Sequence, residues 1–230
     1  MSALEQLPPR DTTALVRTVR DRMRQAIALG EIPAGVKLNQ VLVAKQLGVS
    51  RMPVRAAIPE LVTEGLLEPL TGGGVMVRKL TRRDVREVYE VRLALESRAV
   101  RNVAEARPAP ALGKLQKIID THRPNVSSYD AATLLAADRE FHMALLEATG
   151  NDYFQRAIVS LWSVVERAMV GVLEATEGFE GPWKEHAQIV RALRAGDADK
   201  AEAAVCRHLT NAAEKLAGRL PEDDALAESD

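Results

Sequence analysis

The sequence predicts a mainly α-helical protein, with an N-terminal winged helix-turn-helix and small β-hairpin wing followed by an all-α antiparallel helical bundle. Three observations lead to this fold class. Residues 39–63 contain two short helical patterns joined by a three-residue turn, and a glycine-tipped hairpin follows them. From residue 82 onwards, apolar residues recur at helical spacing without strand-like alternation. Short proline- or glycine-containing breaks separate these later helices, so neighbouring helices must be antiparallel.

Composition limits the class of protein further. The chain has 230 residues, 47% of them hydrophobic, which suits one large domain or two modest ones with real cores. We expect domains at residues 1–80 and 81–218, and a disordered acidic tail at 219–230. The single cysteine, Cys206, excludes an intramolecular disulfide. No signal peptide or membrane-length apolar run is evident, so a cytoplasmic location is expected.

The net charge of −1 hides an asymmetry along the chain. Residues 1–80 hold 11 Lys/Arg and 7 Asp/Glu, a charge of +4, whereas residues 81–230 hold 20 and 25, a charge of −5. A positive N-terminal part suits contact with phosphates. The first predicted helix carries several arginines that form either a solvated face or contacts to phosphates, and the sequence leaves both open. They are Arg17, Arg20, Arg22 and Arg24.

The helix-turn-helix follows from local signals. The apolar residues of Val41–Leu47 fit one face of a short helix, and Gly48 is a natural left-handed stop. Ser50 can cap the next helix through its side chain. Pro53 then lies in the first turn, where a missing N–H costs nothing. These residues predict two helices joined by a tight turn.

The second helix of this pair has the features of a recognition helix. Arg51 and Arg55 are four residues apart on one face, and the planar arginine fork matches the O6/N7 edge of guanine. Salt bridges within the protein are the alternative role for both. Pro59 lies inside the same helix and is expected to bend or shorten it.

A hairpin after this helix can form a wing. Leu66–Leu70 and Val75–Leu80 are predicted strands on either side of a glycine-rich tip. Gly73 and Gly74 have no side chains, so the backbone at these positions can approach a minor groove closely. The alternative is that these glycines only make the turn flexible. The candidate DNA contacts are Ser50, Arg51, Met52, Arg55, Gly73 and Gly74.

These residues also resemble a known family. The run LGVSRMPVRAAI, followed by EGLLE and the glycine-containing wing, resembles the winged helix of GntR-type bacterial transcription regulators over about Leu15–Leu80. Ala56 stands where a glutamate is frequent in that family. The resemblance implies a DNA-binding module with operator DNA as its partner.

The second part of the chain is predicted to be helical almost throughout. Thr81 and Asp84 form a cap for its first helix. The predicted helices cover residues 82–106, 109–122, 130–149, 151–176, 182–195 and 197–218.

Four polar residues of this part fall on apolar helix faces. Asp138 and His142 are four residues apart on one face, and His186 and His208 each share a face with aliphatic residues. An unpaired ionisable group is costly in such surroundings. One shared divalent metal would satisfy all four, because three imidazoles and a carboxylate form a suitable ligand set. The alternative role of each histidine is that of a core residue that is hydrogen-bonded within the protein. His122 lies at a helix end and is left out of the site.

A second resemblance covers this part. The segments YEVRLALE (Tyr89–Glu96), DREFHMALLEATGN (Asp138–Asn151) and Glu185–Leu209 resemble the FCD ligand-binding domain of the FadR subfamily of GntR regulators. The resemblance implies a dimer that binds a divalent metal, zinc most often but also nickel or manganese, with a small carboxylate beside it. It also implies that Arg92 pairs with that carboxylate, although an intrahelical pair with Glu96 is equally well supported.

The metal ligands implied by this resemblance are Asp138, His142, His186 and His208. Asn211, one turn from His208, is a further candidate contact to the effector.

Three functions remain open from the sequence. The first is a homodimeric, metabolite-responsive transcription regulator, most often a repressor in this subfamily, that binds a pseudo-palindromic operator. The second is a metal-dependent enzyme, although no general base stands at a predictable offset from the ligands. The third is a protein with a purely structural metal, or a metal sensor. The DNA-binding head favours the first.

Overall fold

The computed structural model describes residues 12–173 and 180–222. Within the described residues, contacts divide the chain into two compact units. The first comprises residues up to Ile27 together with Glu31–Arg78, and the second comprises Ala28–Gly30 and the chain from Lys79 onwards. Of the predicted tail, residues 223–230 lie outside the described part, whereas residues 219–222 lie within it and Glu222 pairs with Arg82.

The first unit is a helix-turn-helix with a two-stranded antiparallel sheet. Asn39 caps α2 by accepting hydrogen bonds from the backbone N–H groups of Val41 and Leu42, and Gly48 ends α2 in the left-handed region at a φ of 66°. A buried aliphatic cluster holds the unit together. Its elements are α1 (Thr12–Ala28), α2 (Gln40–Leu47), α3 (Arg51–Thr63), β1 (Leu67–Pro69) and β2 (Val75–Val77).

A third chain segment, around Lys37, pairs with the hairpin, and the sequence does not predict this pairing. Glu68 is opposite Met76 in the register of β1 and β2. On the other side of β2, Lys37 forms an isolated bridge with Met76, and Leu38 N–H donates to the Val75 carbonyl at 2.8 Å. The loop before α2 therefore runs along the wing and brings the Lys37 ammonium close to its tip.

Two local predictions for this unit are wrong, and the shortening of α3 expected at Pro59 does not occur. Ser50 begins α3 but makes no side-chain capping hydrogen bond, so the backbone turn alone starts the helix. Both strands are shorter than predicted, because the β1–β2 ladder covers only three residue pairs, from Leu67–Val77 to Pro69–Val75. Pro59 does not shorten α3, which continues to Thr63. Pro59 lies on the exposed face, where water can satisfy the Arg55 carbonyl that loses its donor.

The second unit is a bundle of antiparallel helices. The capping box predicted at its start is confirmed, since Thr81 N–H donates to the Asp84 carboxylate at 2.9 Å and the Thr81 hydroxyl accepts from Asp84 N–H. The long first helix packs most extensively on the last one. The helices are α4 (Arg82–Ala106), α5 (Ala109–His122), α6 (Ala131–Glu147), α7 (Asp152–Val159), α8 (Trp162–Leu173), α9 (Glu180–Ala195) and α10 (Ala198–Ala217), with a 3-10 turn at Val126–Ser128.

The single helix predicted over residues 151–176 is wrong. A turn at residues 160–161 divides it into α7 and α8. Ile158 and Trp162, one on each side of the break, lie in the same buried cluster with Leu146. The apolar spacing is nearly continuous through the break and so does not reveal it. Residues 174–176 lie outside the described part.

The fold class is therefore confirmed: mostly helical, with one two-stranded sheet that follows the helix-turn-helix. Among the described helices, none combines the length and the apolar character that crossing a bilayer would require.

Candidate functional site

Three helices of the second unit bring the predicted histidines together. α6 contributes His142, α9 contributes His186 and α10 contributes His208, all of them buried. His208 Nε2 lies 3.1 Å from His186 Nε2 and 3.4 Å from His142 Nε2. Asp138 Oδ1 lies 3.8 Å from His186 Nε2 and 3.9 Å from His142 Nε2. We refer to these four residues as the histidine cluster.

Two carboxylates behind the cluster orient its imidazoles. Glu96 Oε2 lies 2.6 Å from His142 Nδ1, and Glu185 Oε2 lies 2.8 Å from His208 Nδ1. Each carboxylate is an acceptor, so each imidazole donates its Nδ1–H and turns the Nε2 lone pair towards the centre of the cluster. His186 Nδ1 is buried and has no hydrogen-bond partner among the described residues.

Burial lowers the pKa values of two of the cluster imidazoles, His186 and His208. Desolvation, together with the positive charge of neighbouring groups, lowers the pKa of His186 well below the usual value. Desolvation also lowers the pKa of His208, although the hydrogen bond to Glu185 opposes it. Burial by itself would raise the pKa of Glu96, but Arg92 and His142 lower it to about 2. The lowered pKa values of His186 and His208 favour neutral nitrogens, which is the protonation state that imidazole metal ligands need.

The spacing of the nitrogens fits a divalent metal. Lone pairs that face each other at 3.1–3.4 Å repel unless a cation lies between them. Tetrahedral zinc with Zn–N distances of about 2.0–2.1 Å separates its ligand nitrogens by about 3.3–3.4 Å. His142, His186 and His208 therefore match the ligand spacing of a metal site. Asp138 Oδ1 lies 3.9 and 3.8 Å from His142 Nε2 and His186 Nε2, close enough for a fourth candidate ligand.

Arg92 is held beside the cluster in a fixed orientation. Its side chain is 1% exposed, and Nε donates to Glu96 Oε1 at 2.8 Å. The guanidinium lies between the rings of Tyr89 and Trp162, 4.7 and 4.8 Å from their centroids. The intrahelical pair with Glu96 is thus present. Arg92 Nη2, however, is buried without a hydrogen-bond partner among the described residues.

A cavity of about 230 Å³ adjoins the cluster and Arg92. Arg92, Asp138, His142 and His208 contribute to its wall, and Met169, Ala212 and Leu216 contribute apolar surface. The structure also places Asn211 on this wall, but its amide donates to Glu185 Oε1 at 2.7 Å, so the group is already engaged.

Sequence reasoning missed two carboxylates and two aromatic residues of the site. Glu96 was considered only as a partner of Arg92, and Glu185 had no assigned role. Trp162 covers Arg92, and the Trp183 ring lies 5.0 Å from that of His186. His122, which was left out of the site, interacts with Tyr129 and Glu140 instead.

In the first unit, α3 presents the predicted contacts to solvent. Arg51, Met52 and Arg55 are exposed, and Met52 is 71% exposed. Among the described residues, neither arginine forms an ion pair, so the alternative role in salt bridges finds no partner. Gly73 and Gly74 have φ angles of 86° and 94°, and the exposed Ser50 precedes the helix.

Two of the four arginines predicted on α1 form ion pairs with the region of α3, whereas Arg17 and Arg22 are exposed. Arg24 binds the Glu64 carboxylate through both Nε, at 2.8 Å, and Nη2. Arg20 pairs with Glu60. These two arginines tie α1 to α3, so salt bridging accounts for them.

An exposed arginine-bearing helix, a glycine-tipped hairpin and a helical unit with an inward metal-type ligand set define a DNA-binding regulator with a sensory domain. Two family models match the chain: "Bacterial regulatory proteins, gntR family" over residues 15–77 and "FCD domain" over residues 87–211. The chain belongs to the GntR family of bacterial transcription regulators and carries an FCD domain. The matched families are regulators, so the enzyme alternative has no support.

Comparison with individual proteins supports the same family. The chain is 30% identical over 200 residues to the "Probable D-xylose utilization operon transcriptional repressor" of Paenarthrobacter nicotinovorans, covering 86% of each chain. It is 28% identical over 180 residues to the "Gluconate operon transcriptional repressor" of Bacillus subtilis, covering 76% of this chain and 74% of the relative. Its fold is similar to that of Escherichia coli McbR/YncC, with a TM-score of 0.77, 21% identity, and 88% and 96% coverage.

Proposed function

We propose that this protein is a homodimeric, metabolite-responsive repressor whose FCD domain binds a small carboxylic acid beside a divalent metal. The observation that carries the proposal is the buried Arg92, which has one guanidinium nitrogen without a partner and shares a small cavity with the histidine cluster. A buried donor without a partner is costly, and an anion in the cavity would remove that cost.

The charges around the cavity make anion binding depend on the metal. Arg92 and Lys215 contribute two positive charges, whereas Asp138 and Glu185 contribute two negative ones. Glu96, which pairs with Arg92, adds a third negative charge, so the formal total is −1 with neutral histidines. A divalent cation changes the total to +1. We therefore expect carboxylates to bind the metal-loaded protein and not the metal-free one.

The proposed metal would have four protein ligands. His142, His186, His208 and Asp138 would hold it, and we propose zinc because three imidazoles and one carboxylate suit it. Nickel and manganese are the alternatives. When bound, the metal supplies positive charge and a coordination position for a carboxylate oxygen. Glu96 and Glu185 would keep the imidazoles turned towards it.

DNA binding is the activity that the bound acid would control. Arg51 and Arg55 are exposed and free of carboxylate partners among the described residues, which supports base contacts in a major groove. In a homodimer, two such heads would bind a pseudo-palindromic operator, because two-fold symmetry in the protein imposes it on the DNA. Both relatives described above are named as operon repressors, one of them for gluconate, a sugar acid. Both names support repression as the output. The gluconate name also supports an organic acid as the signal, whereas D-xylose in the other name is a neutral sugar.

The test combines thermal stability with operator binding. Purified protein, with and without chelator, is screened against small organic and sugar acids, and each hit is added to an operator-binding titration. A ligand of the folded state raises the melting temperature by mass action. We expect a hit that needs metal and that changes operator affinity. A large fall in melting temperature on chelation, with no response to acids, would instead assign the metal a structural role.

Replacement of His186 tests which residues bind the proposed metal. His186→Ala should lose metal and the response to acid while it keeps basal operator binding. His122→Ala is the matched control, because this histidine lies outside the cluster and should leave metal content unchanged. Full metal content in His186→Ala by elemental analysis would refute the proposed ligand set.

A further inference from the structure

A lysine from outside the hairpin lies beside the tip of the wing. Lys37 precedes α2, and its backbone pairs with Met76 on the side of β2 that does not face β1. Its side chain runs towards the tip, because a Cβ added at Gly74 would lie 3.1 Å from Lys37 Cε and 3.8 Å from Lys37 Nζ. Backbone pairing in another part of the chain therefore brings an ammonium group to the wing tip.

The hairpin itself has no positive charge near its tip. Residues 70–74 read Leu-Thr-Gly-Gly-Gly, and the charged residue of the two strands is Glu68. Glu68 and Lys37 pair with Met76 from opposite sides, so two strand spacings, about 9–10 Å, separate their backbones. Lys37 is exposed and forms no ion pair with Glu68 or another carboxylate among the described residues. Its charge is therefore available to an external anion.

The backbone of the tip adds a hydrogen-bond donor next to this ammonium. Gly73 N–H donates to the Leu70 carbonyl at 2.9 Å, whereas Gly74 N–H has no hydrogen-bond partner among the described residues. Gly74 is exposed and has no side chain that would keep a ligand away from its N–H group. Phosphate oxygens accept hydrogen bonds from both lysine side chains and backbone N–H groups. Lys37 and Gly74 therefore offer the two kinds of donor that a phosphate needs.

We propose that Lys37 and the N–H group of Gly74 form one binding site for a backbone phosphate of DNA. The inference rests on the proposed function, because it specifies how the wing of the DNA-binding unit contacts an operator. Phosphate contacts position a protein on the duplex and carry no direct sequence information. Arg51 and Arg55 would read bases from α3, whereas Lys37 would add affinity for DNA of any sequence.

The salt dependence of DNA binding tests this site in the full-length protein. Affinities for operator and for unrelated DNA are measured between about 50 and 200 mM salt, the range over which phosphate contacts lose most of their contribution. The variants are Lys37→Gln, Lys37→Arg, which keeps the charge, and Lys200→Gln, which removes a charge that pairs with Asp197 in the FCD domain. Lys37 is exposed and pairs with β2 through its backbone, so Lys37→Gln should leave the melting temperature unchanged.

Each lost phosphate contact should reduce the slope of log K against log salt concentration by about 0.9, or about 1.8 for a dimer with two wings. We expect this reduction in Lys37→Gln, with operator and unrelated DNA weakened alike. Lys37→Arg and Lys200→Gln should keep the slope of the unmodified protein. An unchanged slope in Lys37→Gln, or a loss of affinity confined to the operator, would overturn the phosphate assignment.

A neutral phosphate analogue locates the contact on the DNA. Operator duplexes that carry one methylphosphonate at successive positions are titrated with the unmodified protein and with Lys37→Gln. One position in each half-site should weaken binding of the unmodified protein and have no effect on the variant, because the variant no longer has the charge that senses it. Equal sensitivity of the two proteins at every position would also overturn the assignment. Absence of DNA binding by the unmodified protein would instead contradict the proposed function.

Discussion

Glu96 links His142 to Arg92 through its two carboxylate oxygens. Oε2 lies 2.6 Å from His142 Nδ1, and Oε1 accepts from Arg92 Nε at 2.8 Å. All three side chains are almost completely buried. One carboxylate therefore sets the tautomer of a candidate metal ligand and the orientation of a candidate anion ligand.

Replacing Glu96 by Gln should weaken metal binding about 10–100-fold. If the amide oxygen keeps the bond to Arg92, the amide NH₂ faces His142 Nδ1 and makes it an acceptor. The proton of His142 then moves to Nε2, where it blocks the metal. Competition with a chelator measures the affinity. Glu140→Gln is the matched control, since Glu140 contacts His122 instead of a cluster histidine. Equal metal affinity in Glu96→Gln and the unmodified protein would rule out this role for Glu96.

Replacing Arg51 or Arg55 by Ala should weaken operator binding by about 1–3 kcal/mol, the range for a bidentate contact to a base. Both side chains are exposed, so stability should change little. Gel-shift titrations with operator and with unrelated DNA separate base contacts from phosphate contacts, because a lost phosphate contact weakens both complexes alike. Lys200→Ala, in the FCD domain, serves as the control. Unchanged operator affinity in both arginine variants would exclude α3 as the recognition helix.

The wing offers a test based on two neighbouring glycines. Gly74 has a φ of 94°, and an added Cβ would lie 3.1 Å from Lys37 Cε. Gly74→Ala should therefore strain the hairpin by about 1–3 kcal/mol and lower operator affinity. Gly72→Ala should change neither property, because its Cβ would meet no atom within 4 Å. Chemical denaturation and operator titration measure the two effects. Unchanged operator affinity in Gly74→Ala would remove the wing tip from the DNA contacts.

The histidine cluster should make the metal-free protein sensitive to acid. The pKa values of His186 and His208 are lowered in the folded state, so below the usual value of about 6.5 the unfolded chain binds protons that the folded chain does not. Stability is then complete above about pH 6.5 and declines as the pH falls below it, by up to about 1.4 kcal/mol per pH unit for each proton. Denaturant titrations of chelated protein between pH 7.5 and 5.5 measure the slope. A smaller slope is expected for His186→Gln, and a slope that this substitution leaves unchanged would show that another group is responsible.

The sequence predicted those parts of the site that depend on helix periodicity. His142, His186 and His208 lie on apolar faces, and apolar faces of bundle helices turn inward, so their meeting follows from the pattern. The positions of the carboxylates behind these histidines do not follow from the pattern. Glu96 reaches His142 across 46 residues and Glu185 reaches His208 across 23, and only the packing of the helices determines such pairs.

Two features of the fold were missed for related reasons. The break at residues 160–161 leaves the apolar spacing nearly intact, because residues on both sides enter one cluster. The segment around Lys37 pairs with β2 but has too few residues to show strand alternation. Conversely, Pro59 does not end α3, since an exposed position tolerates the missing hydrogen bond.

The two tryptophans of the chain both lie against the histidine cluster. The Trp162 ring is 5.6 Å from that of His142, and the Trp183 ring is 5.0 Å from that of His186. The natural ultraviolet emission of the protein therefore originates almost entirely from the immediate surroundings of this site. Arrival of a cation or an acid should alter that emission in unlabelled protein, so occupancy can be followed in solution without an attached dye. Replacing Trp183 by Phe would leave Trp162, the ring that covers Arg92, as a single-site optical probe of the anion pocket.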